Sequence, residues 1–321
     1  MKKILVLTSG GDCSGMNAYL KALAKLCKKH EIELFASMYG FQGLVENSIT
    51  SFEYDDLGEI QNLGGSVIKT SRSKDFVTQK GFEQALSNLK TWNFDCVVVV
   101  GGNGSTKGAY DLSLAEISVV TVPATIDNDL AYTDTTLGYD TACQNALDAV
   151  VKIKQTMDTC DRGAIVEVMG RHCSDIAVHT AILADADMII TKQKSFESIL
   201  KRVDDLINFE KKNPLIVVQE NILNVNELAK YLEEHTKKEF RATVIGYLQR
   251  GGAPTVNDNL LAIQFATKTV ELIESETYNV AVGEIDSKIT ATKLQEAIIT
   301  KQHSKKLLEI FKKYSNTPID E

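Results

Sequence analysis

The 321-residue chain is 44% hydrophobic and 24% charged, the balance of a globular protein rather than a disordered one, and long enough for two lobes. Its net charge of −8 excludes a broad nucleic-acid footprint but leaves room for a local cationic pocket that takes a phosphorylated small molecule. No apolar run approaches the ~20 residues of a membrane span, and the scattered cysteines and histidines show neither Cys-x-x-Cys pairs nor metal-ligand spacing.

In chain order, Ile4–Leu7 reads as a first buried strand. It is too short for a secretion signal and no cleavage pattern follows, so a cytosolic protein is expected. The loop Ser9-Gly10-Gly11-Asp12-Cys13-Ser14-Gly15 leads into a helix over Met16–Lys29, with Leu20, Leu23, Ala24 and Cys27 on one face. This loop is neither a Gly-x-Gly-x-x-Gly fingerprint nor a Walker A loop. Its glycines either bring backbone amides to a phosphate or make an ordinary tight turn.

Glu33–Tyr39 is a candidate strand, and Gly64-Gly65 opens a loop carrying Lys69, Arg72 and Lys74. Gly81–Leu89 reads as a helix. Cys96–Val100 is too apolar for an edge strand, and it ends in Gly101-Gly102-Asn103-Gly104-Ser105. Three glycines there are costly unless backbone must approach something closely, a polyphosphate for instance. After another helix comes the run Ile117–Val122, read as a central buried strand. It stops at Pro123-Ala124-Thr125 and then shows Asp127 and Asp129, which puts two acids at the carboxyl edge of a sheet, where ligands sit in open α/β folds. One could accept a proton from a hydroxyl while the other holds a metal. The bland alternative is a helix-entry turn whose acids cap amides.

A long helical pattern covers Tyr139–Met157. Ala164–Met169 is a strand ending at Gly170-Arg171, with Arg162 just before it. Met188–Thr191 and Leu215–Gln219 are strands around a helix at Ser195–Phe209, and Glu220 ends the second. Val225–Glu234 is helical. Arg241–Leu248 reads as one strand running into Gln249-Arg250-Gly251-Gly252. Asn259–Ser275 is a helix, Val280–Val282 a short strand, and the remainder reads as helical with a polar tail. Arginine forks suit phosphate; any one of these arginines is more often a surface ion-pair partner than a ligand, but four of them, three at or near strand ends, are harder to dismiss. The alternation predicts an α/β protein of two lobes, each a mainly parallel sheet with helices on both faces.

Four stretches, Leu7–Asp12, Pro123–Asp129, Val166–Arg171 and Gln249–Gly252, stand in the order and near-wording of one family. On these the chain resembles the ATP-dependent 6-phosphofructokinases of the bacterial type, nearly end to end. The resemblance implies a larger ATP-binding lobe over 1–138 plus 249–300 and a smaller sugar-phosphate lobe over 139–248 plus 301–321. It implies transfer of the ATP γ-phosphoryl group to the 1-hydroxyl of fructose 6-phosphate, the committed step of glycolysis, with Asp127 as general base and Thr125 beside it. Gly11, Arg72, Ser73, Gly102, Asn103, Gly104 and Ser105 would hold ATP, and Arg72 and Arg171 would steady the transferring group. Ile126, Met169, Gly170, Arg171, Glu220, Tyr247 and Arg250 would bind the sugar phosphate. Arg162 and Arg241 would reach it from the neighbouring subunit of a homotetramer.

Small residues at Gly104 and Ala124, where pyrophosphate users carry an acid and a lysine, favour ATP. Asn103 stands where the family has an aspartate for Mg²⁺, which leaves Asp129 more of the metal site. Tyr247 replaces a histidine. The effector positions hold Lys21, Lys25, Lys154, Asp187 and Lys211, with Tyr54 for another arginine, which implies a weak or altered response to ADP or phosphoenolpyruvate. Solvated lysines on helix faces are the equal alternative. The competing functional readings are a phosphometabolite-binding homologue with little catalysis, and a kinase for pyrophosphate or another sugar phosphate.

Overall fold

In a computed structural model, which describes residues 1–208 and 213–314, the apolar runs at 4–7, 96–100, 164–168 and 215–219 become strands, and helices fill most of the chain between strands. The chain divides into two units. The first takes Met1–Thr141 and Arg250–Lys301, the second Ala142–Gln249 and the chain from Gln302.

The first unit opens with β1 (Lys3–Ser9), α1 (Met16–Lys29), β2 (Glu33–Ser37), α2 (Phe41–Glu46), β3 (Ile49–Ser51), α3 (Gln79–Trp92), β4 (Cys96–Gly101), α4 (Asn103–Leu114) and β5 (Val119–Pro123). Helix α5 (Tyr139–Thr159) then carries the chain into β6 (Gly163–Val168), α6 (Asp175–Leu183), β7 (Met188–Ile190), α7 (Phe196–Asn208), β8 (Leu215–Gln219), α8 (Val225–Thr236) and β9 (Phe240–Val244). The return is α9 (Val256–Glu274), β10 (Val280–Ile285), β11 (Lys288–Lys293), α10 (Leu294–Ala297) and α11 (Lys305–Tyr314).

The first sheet runs β11-β10-β5-β4-β1-β2-β3, parallel in its centre and antiparallel at both ends. The chain passes from β1 to β2 on one side and later returns to β4 on the other, so the strand order reverses between β1 and β4. A ligand crevice forms at such a switch point. The second sheet runs β7-β8-β6-β9, all parallel.

Cys96 to Val100 of β4 are fully buried, as a strand covered on both faces must be. Each such side chain contributes about 1.5–3 kcal/mol. Tyr19 of α1 is also fully buried, and its hydroxyl meets Thr269 Oγ1 of α9 at 2.9 Å, which locks these two helices together.

Three readings of the sequence change. The stretch Arg241–Leu248 is not one strand: β9 ends at Val244, and Gly246–Arg250 winds into a 3₁₀ turn, with Gly246 at φ 54°. The segment after Val282 is not helical at first but forms the β10–β11 hairpin. The helix placed from Asn259 starts at Val256, with Thr255 as its cap. No helix among the described residues is long and apolar enough to cross a membrane. Phe209, Lys211 and the polar tail beyond Tyr314 lie outside the described residues.

Candidate active site

The strand ends bring the glycine loops and the acids of the first unit side by side. In register, Ser9 of β1 pairs with Gly101 of β4, and Gly101 with Pro123 of β5. Neighbouring strands lie about 4.8 Å apart, so the loops after β1, β4 and β5 share one rim.

Helix α4 points its N-terminus at this rim. Its cap is Gly102, extended and without a side-chain bond, and no acid lies in its first turn. The amides of Asn103 to Ser105 therefore keep the capacity to bind an anion. Gly101 must be glycine, because a Cβ there would stand 2.4 Å from Ser105 Oγ and 2.6 Å from Ser9 O. Ser105 donates to Ser9 O at 3.1 Å, fastening α4 to the end of β1. A Cβ on Gly104 would meet nothing within 4 Å. That position faces open space, so no packing demand explains the glycine. Asn103 Oδ1 is buried without a hydrogen-bond partner among the described residues.

Beside this helix end runs the turn after β5. Asp127 is 6% exposed, and its amide donates to Thr125 Oγ1 at 3.2 Å. The cap reading of Asp127 and Asp129 does not hold, because the next helix opens only at Tyr139. The turn is held by a returning segment. Thr125 N donates to Leu137 O (3.1 Å), Leu137 N to Pro123 O (3.0 Å), and Thr136 Oγ1 to Thr125 O (2.6 Å). Ala124 is 1% exposed and bonded to Gly101 O, so a lysine there would have to bury its whole stem.

On the β1 loop, the Arg250 guanidinium lies over Gly11, where a Cβ would come within 2.9 Å of it. It pairs with the Asp12 carboxylate and donates to Asp12 O at 3.2 Å. Arg250, expected among the sugar ligands, is held in the first unit against the loop after β1. Arg72 is exposed, with the loop it stands on tied at Thr70 to Gly10 O (3.0 Å). Ser73 is occupied: it donates to Gln42 Oε1 at 2.6 Å and accepts from Phe76 N at 3.0 Å. Burial pushes the Cys13 thiol well up, with the charges of Asp258 and Asp12 adding to it, so Cys13 fills space here as a neutral thiol.

In the second unit, the carboxyl ends of β6 and β8 form another rim. Glu220 accepts from the amides of Gly170 (3.1 Å) and Arg171 (2.9 Å) through one oxygen, and so shapes the Met169–Arg171 turn. Gly170 (φ 135°) and Arg171 (φ 49°) bend the chain there. Gln249 is 1% exposed. It accepts from Met169 N (3.3 Å) and donates to Gly246 O (3.3 Å). Tyr247 is 79% exposed, presented by the turn after β9.

Arg162 and Arg241 stand at the opposite, amino end of the same sheet, before β6 and at the start of β9. The six residues of β6 separate Arg162 from Met169, roughly 20 Å. Both guanidiniums share one carboxylate. Arg162 Nε donates to Glu239 Oε2 at 2.5 Å, Arg241 pairs with the other oxygen of Glu239, and Glu233 lies 3.6 Å from Arg241.

Of the effector candidates, Lys21 donates to Gly58 O at 2.6 Å and lies 4.1 Å above the Tyr54 ring, and Lys25 is exposed on the same helix. Lys154 donates to Ala184 O at 3.0 Å, and Asp187 accepts from Leu215 N at 2.9 Å.

Residues 3–273 match the phosphofructokinase family. The chain belongs to that family. It is 39% identical over 300 residues to an ATP-dependent 6-phosphofructokinase of Clostridium botulinum, covering 93% of this chain and 94% of the relative. A phosphofructokinase of Saccharomyces cerevisiae superposes with a TM-score of 0.84 at 29% identity, over 93% of this chain and 45% of the yeast chain. A pyrophosphate-dependent phosphofructokinase of Marinobacter aquaeolei superposes with a TM-score of 0.85 at 20% identity, covering 94% of this chain and 85% of the other. That likeness bears on the fold alone, and the fold therefore does not select the phosphoryl donor.

The sequence reading missed Gln249, Glu239 and Asp258 as site-building residues. Gln249 was visible only as part of a motif, and nothing local marks Glu239. For Asp258 a signal existed, since Thr255-Val256-Asn257-Asp258 is a capping-box pattern.

Proposed function

We propose that this phosphofructokinase-family chain transfers the γ-phosphoryl group of ATP to the 1-hydroxyl of fructose 6-phosphate, giving fructose 1,6-bisphosphate and ADP. One observation carries the reading: a buried carboxylate, Asp127, is fixed beside an uncapped, glycine-flanked helix N-terminus that suits a polyphosphate. Asp127 takes the hydroxyl proton as the sugar oxygen attacks phosphorus, and Thr125 orients it. Gly11, Arg72, Ser73 and the Gly102–Ser105 turn take the ATP phosphates, Ser73 through backbone because its hydroxyl is engaged. Arg72 and Arg171 offset the charge on the transferring group. Catalysis of this kind is positioning and charge neutralisation rather than covalent chemistry.

Thr125, Ile126, Met169, Gly170, Arg171 and Glu220 bind the sugar, with Tyr247 and Arg250 as further polar contacts. One oxygen of Glu220 shapes its turn, which leaves the other for a sugar hydroxyl. Arg162 and Arg241 lie too far along their strands to reach the same sugar as Met169 of their own chain. The reading gives them to the sugar phosphate of a neighbouring subunit, in a homotetramer. Open space at Gly104 and the buried Ala124 support ATP over pyrophosphate.

A magnesium ion fits this rim in the manner usual for the ion, with one or two protein oxygens and the rest from substrate and water. The unpartnered buried Oδ1 of Asn103 and the Asp129 carboxylate would hold it. When bound, it would offset phosphate charge. The effector set, with lysines and Tyr54 where bidentate arginine is usual and Asp187 as its acid, supports a weak or altered response to ADP or phosphoenolpyruvate, and a glycolytic role supports a cytoplasmic location.

The test is fructose 1,6-bisphosphate formation from ATP or pyrophosphate over a range of Mg²⁺. Turnover with ATP and little with pyrophosphate is expected. No turnover with either donor at high metal would leave a phosphometabolite-binding protein instead.

A further inference from the structure

Helix α9 begins with half of a capping box. Thr255 Oγ1 accepts from Asp258 N at 3.2 Å, as the pattern requires. The acid, however, does not return to Thr255 N, which donates instead to Thr141 Oγ1 at 3.0 Å. Asp258 is 1% exposed and turns to another segment, accepting from Gly138 N (2.8 Å), Thr141 N (2.8 Å) and Thr141 Oγ1 (2.5 Å). A local rule broken at a buried charge needs a reason elsewhere in the fold.

The reason lies in the two residues before Gly138. Thr136 and Leu137 are the residues whose hydroxyl and backbone hold Thr125 and Pro123. The same segment packs on the β1 loop. Gly138 has φ 93°, and a Cβ there would stand 2.5 Å from Cys13 Cβ, while the Leu137 side chain lies against Gly15. Asp258 therefore grips from behind a strap that touches both the Thr125–Asp127 turn and the phosphate-side loop.

We propose that Asp258 is a positioning residue for phosphoryl transfer: by fixing Gly138 and Thr141 it sets the Thr136–Gly138 strap, and through it the placement of Thr125 and Asp127. The inference rests on Asp127 being the proton acceptor. Asn at 258 has nearly the same shape but turns an NH₂ toward donors, so the strap loses one anchor and shifts.

The experiment compares four variants of the full chain: Asp258→Asn, Thr136→Val, Phe265→Leu and Asp127→Asn. Steady-state kcat and KM are normalised to folded protein from urea unfolding. Phe265 is fully buried further along α9, its side chain makes no hydrogen bond, and Phe265→Leu supplies the loss of stability alone. A small misplacement of reacting groups costs up to about a hundredfold. Asp258→Asn and Thr136→Val should each lower kcat about tenfold to a hundredfold, with both KM values nearly unchanged. Their double variant should lose less than the product of the two. Should Asp258→Asn fail to fold, Thr136→Val carries the test. Variants at 258 and 136 that match Phe265→Leu in kcat would overturn the inference while leaving Asp127 in place. Full kcat in Asp127→Asn would overturn both.

Discussion

Asn103 is the first helical residue of α4, and replacing it with aspartate separates two consequences that one residue would otherwise mix. The first is local. The α4 N-terminus has no side-chain cap and no acid in its first turn, so a carboxylate there gains about 0.3–1 kcal/mol from the helix dipole. For a chain of this size that raises Tm by roughly 1–3 °C. The second concerns the ion. A unit charge pair at 4 Å is worth about 4 kcal/mol at an effective dielectric of 20. Desolvating a carboxylate where Asn103 Oδ1 is now buried takes back much of this. A net ~1–2 kcal/mol remains, which lowers the Mg²⁺ concentration for half-maximal rate about five- to thirtyfold. The assay is initial rate against free Mg²⁺ at fixed ATP, with a thermal melt of the same preparation. A variant that melts higher yet keeps the parent's Mg²⁺ requirement would refute the reasoning. It would show that residue 103 caps the helix but does not face the ion.

Other expectations follow from the same geometry. Asp127→Asn should cut kcat by about 10²–10⁴ with KM values within a few fold, and a loss confined to KM would make Asp127 a binding residue only. Glu239→Gln frees Arg162 and Arg241 from their shared carboxylate. Re-ordering the two side chains costs about 0.5–1.5 kcal/mol, so KM for fructose 6-phosphate should rise severalfold in titrations at fixed ATP; a fall in KM would mean that Glu239 competes with the sugar phosphate. Burial, then the charge of Glu220, raises the Glu167 carboxyl above its ordinary 4.5. The native state holds that proton more tightly than the unfolded chain, so the stabilisation is present below 4.5 and is lost as pH rises through the raised value. Urea midpoints of Glu167→Gln should therefore gain on the parent across that window, and parallel curves would show the carboxyl to be unperturbed.

Much of this architecture is written locally. The uninterrupted β-branched run at Cys96–Val100 is legible because only a strand covered on both faces tolerates it. The α1 helix, Met16–Lys29, is legible in full, since its apolar positions repeat at the helical period. The glycine loops after β1 and β4 and the acids after β5 are legible for a related reason: a buried strand that stops abruptly must deliver whatever follows it to a sheet edge. The β10–β11 hairpin was half legible. Its turn residues, Asp286 (φ 49°) and Ser287 (φ 62°), both take positive φ, as a primed turn requires. Serine replaces the glycine that usually signals such a turn, so the pattern passed for a helix.

What the sequence determined by itself is which segments are buried strands, which are helices, and which loops carry glycine, arginine or carboxylate at a strand end. These follow from the periodicity of apolar residues and from backbone freedom, both properties of near neighbours along the chain. Tertiary structure alone decided which ends share a rim. It set Gly102 and Thr125 side by side and put Arg162 and Arg241 at the far end of their sheet from Arg171. It also committed Asp258, in the first turn of α9, to the strap that precedes α5. Those outcomes depend on strand order and on which distant donors meet a buried charge, and no local pattern encodes the partner of a hydrogen bond that spans more than a hundred residues.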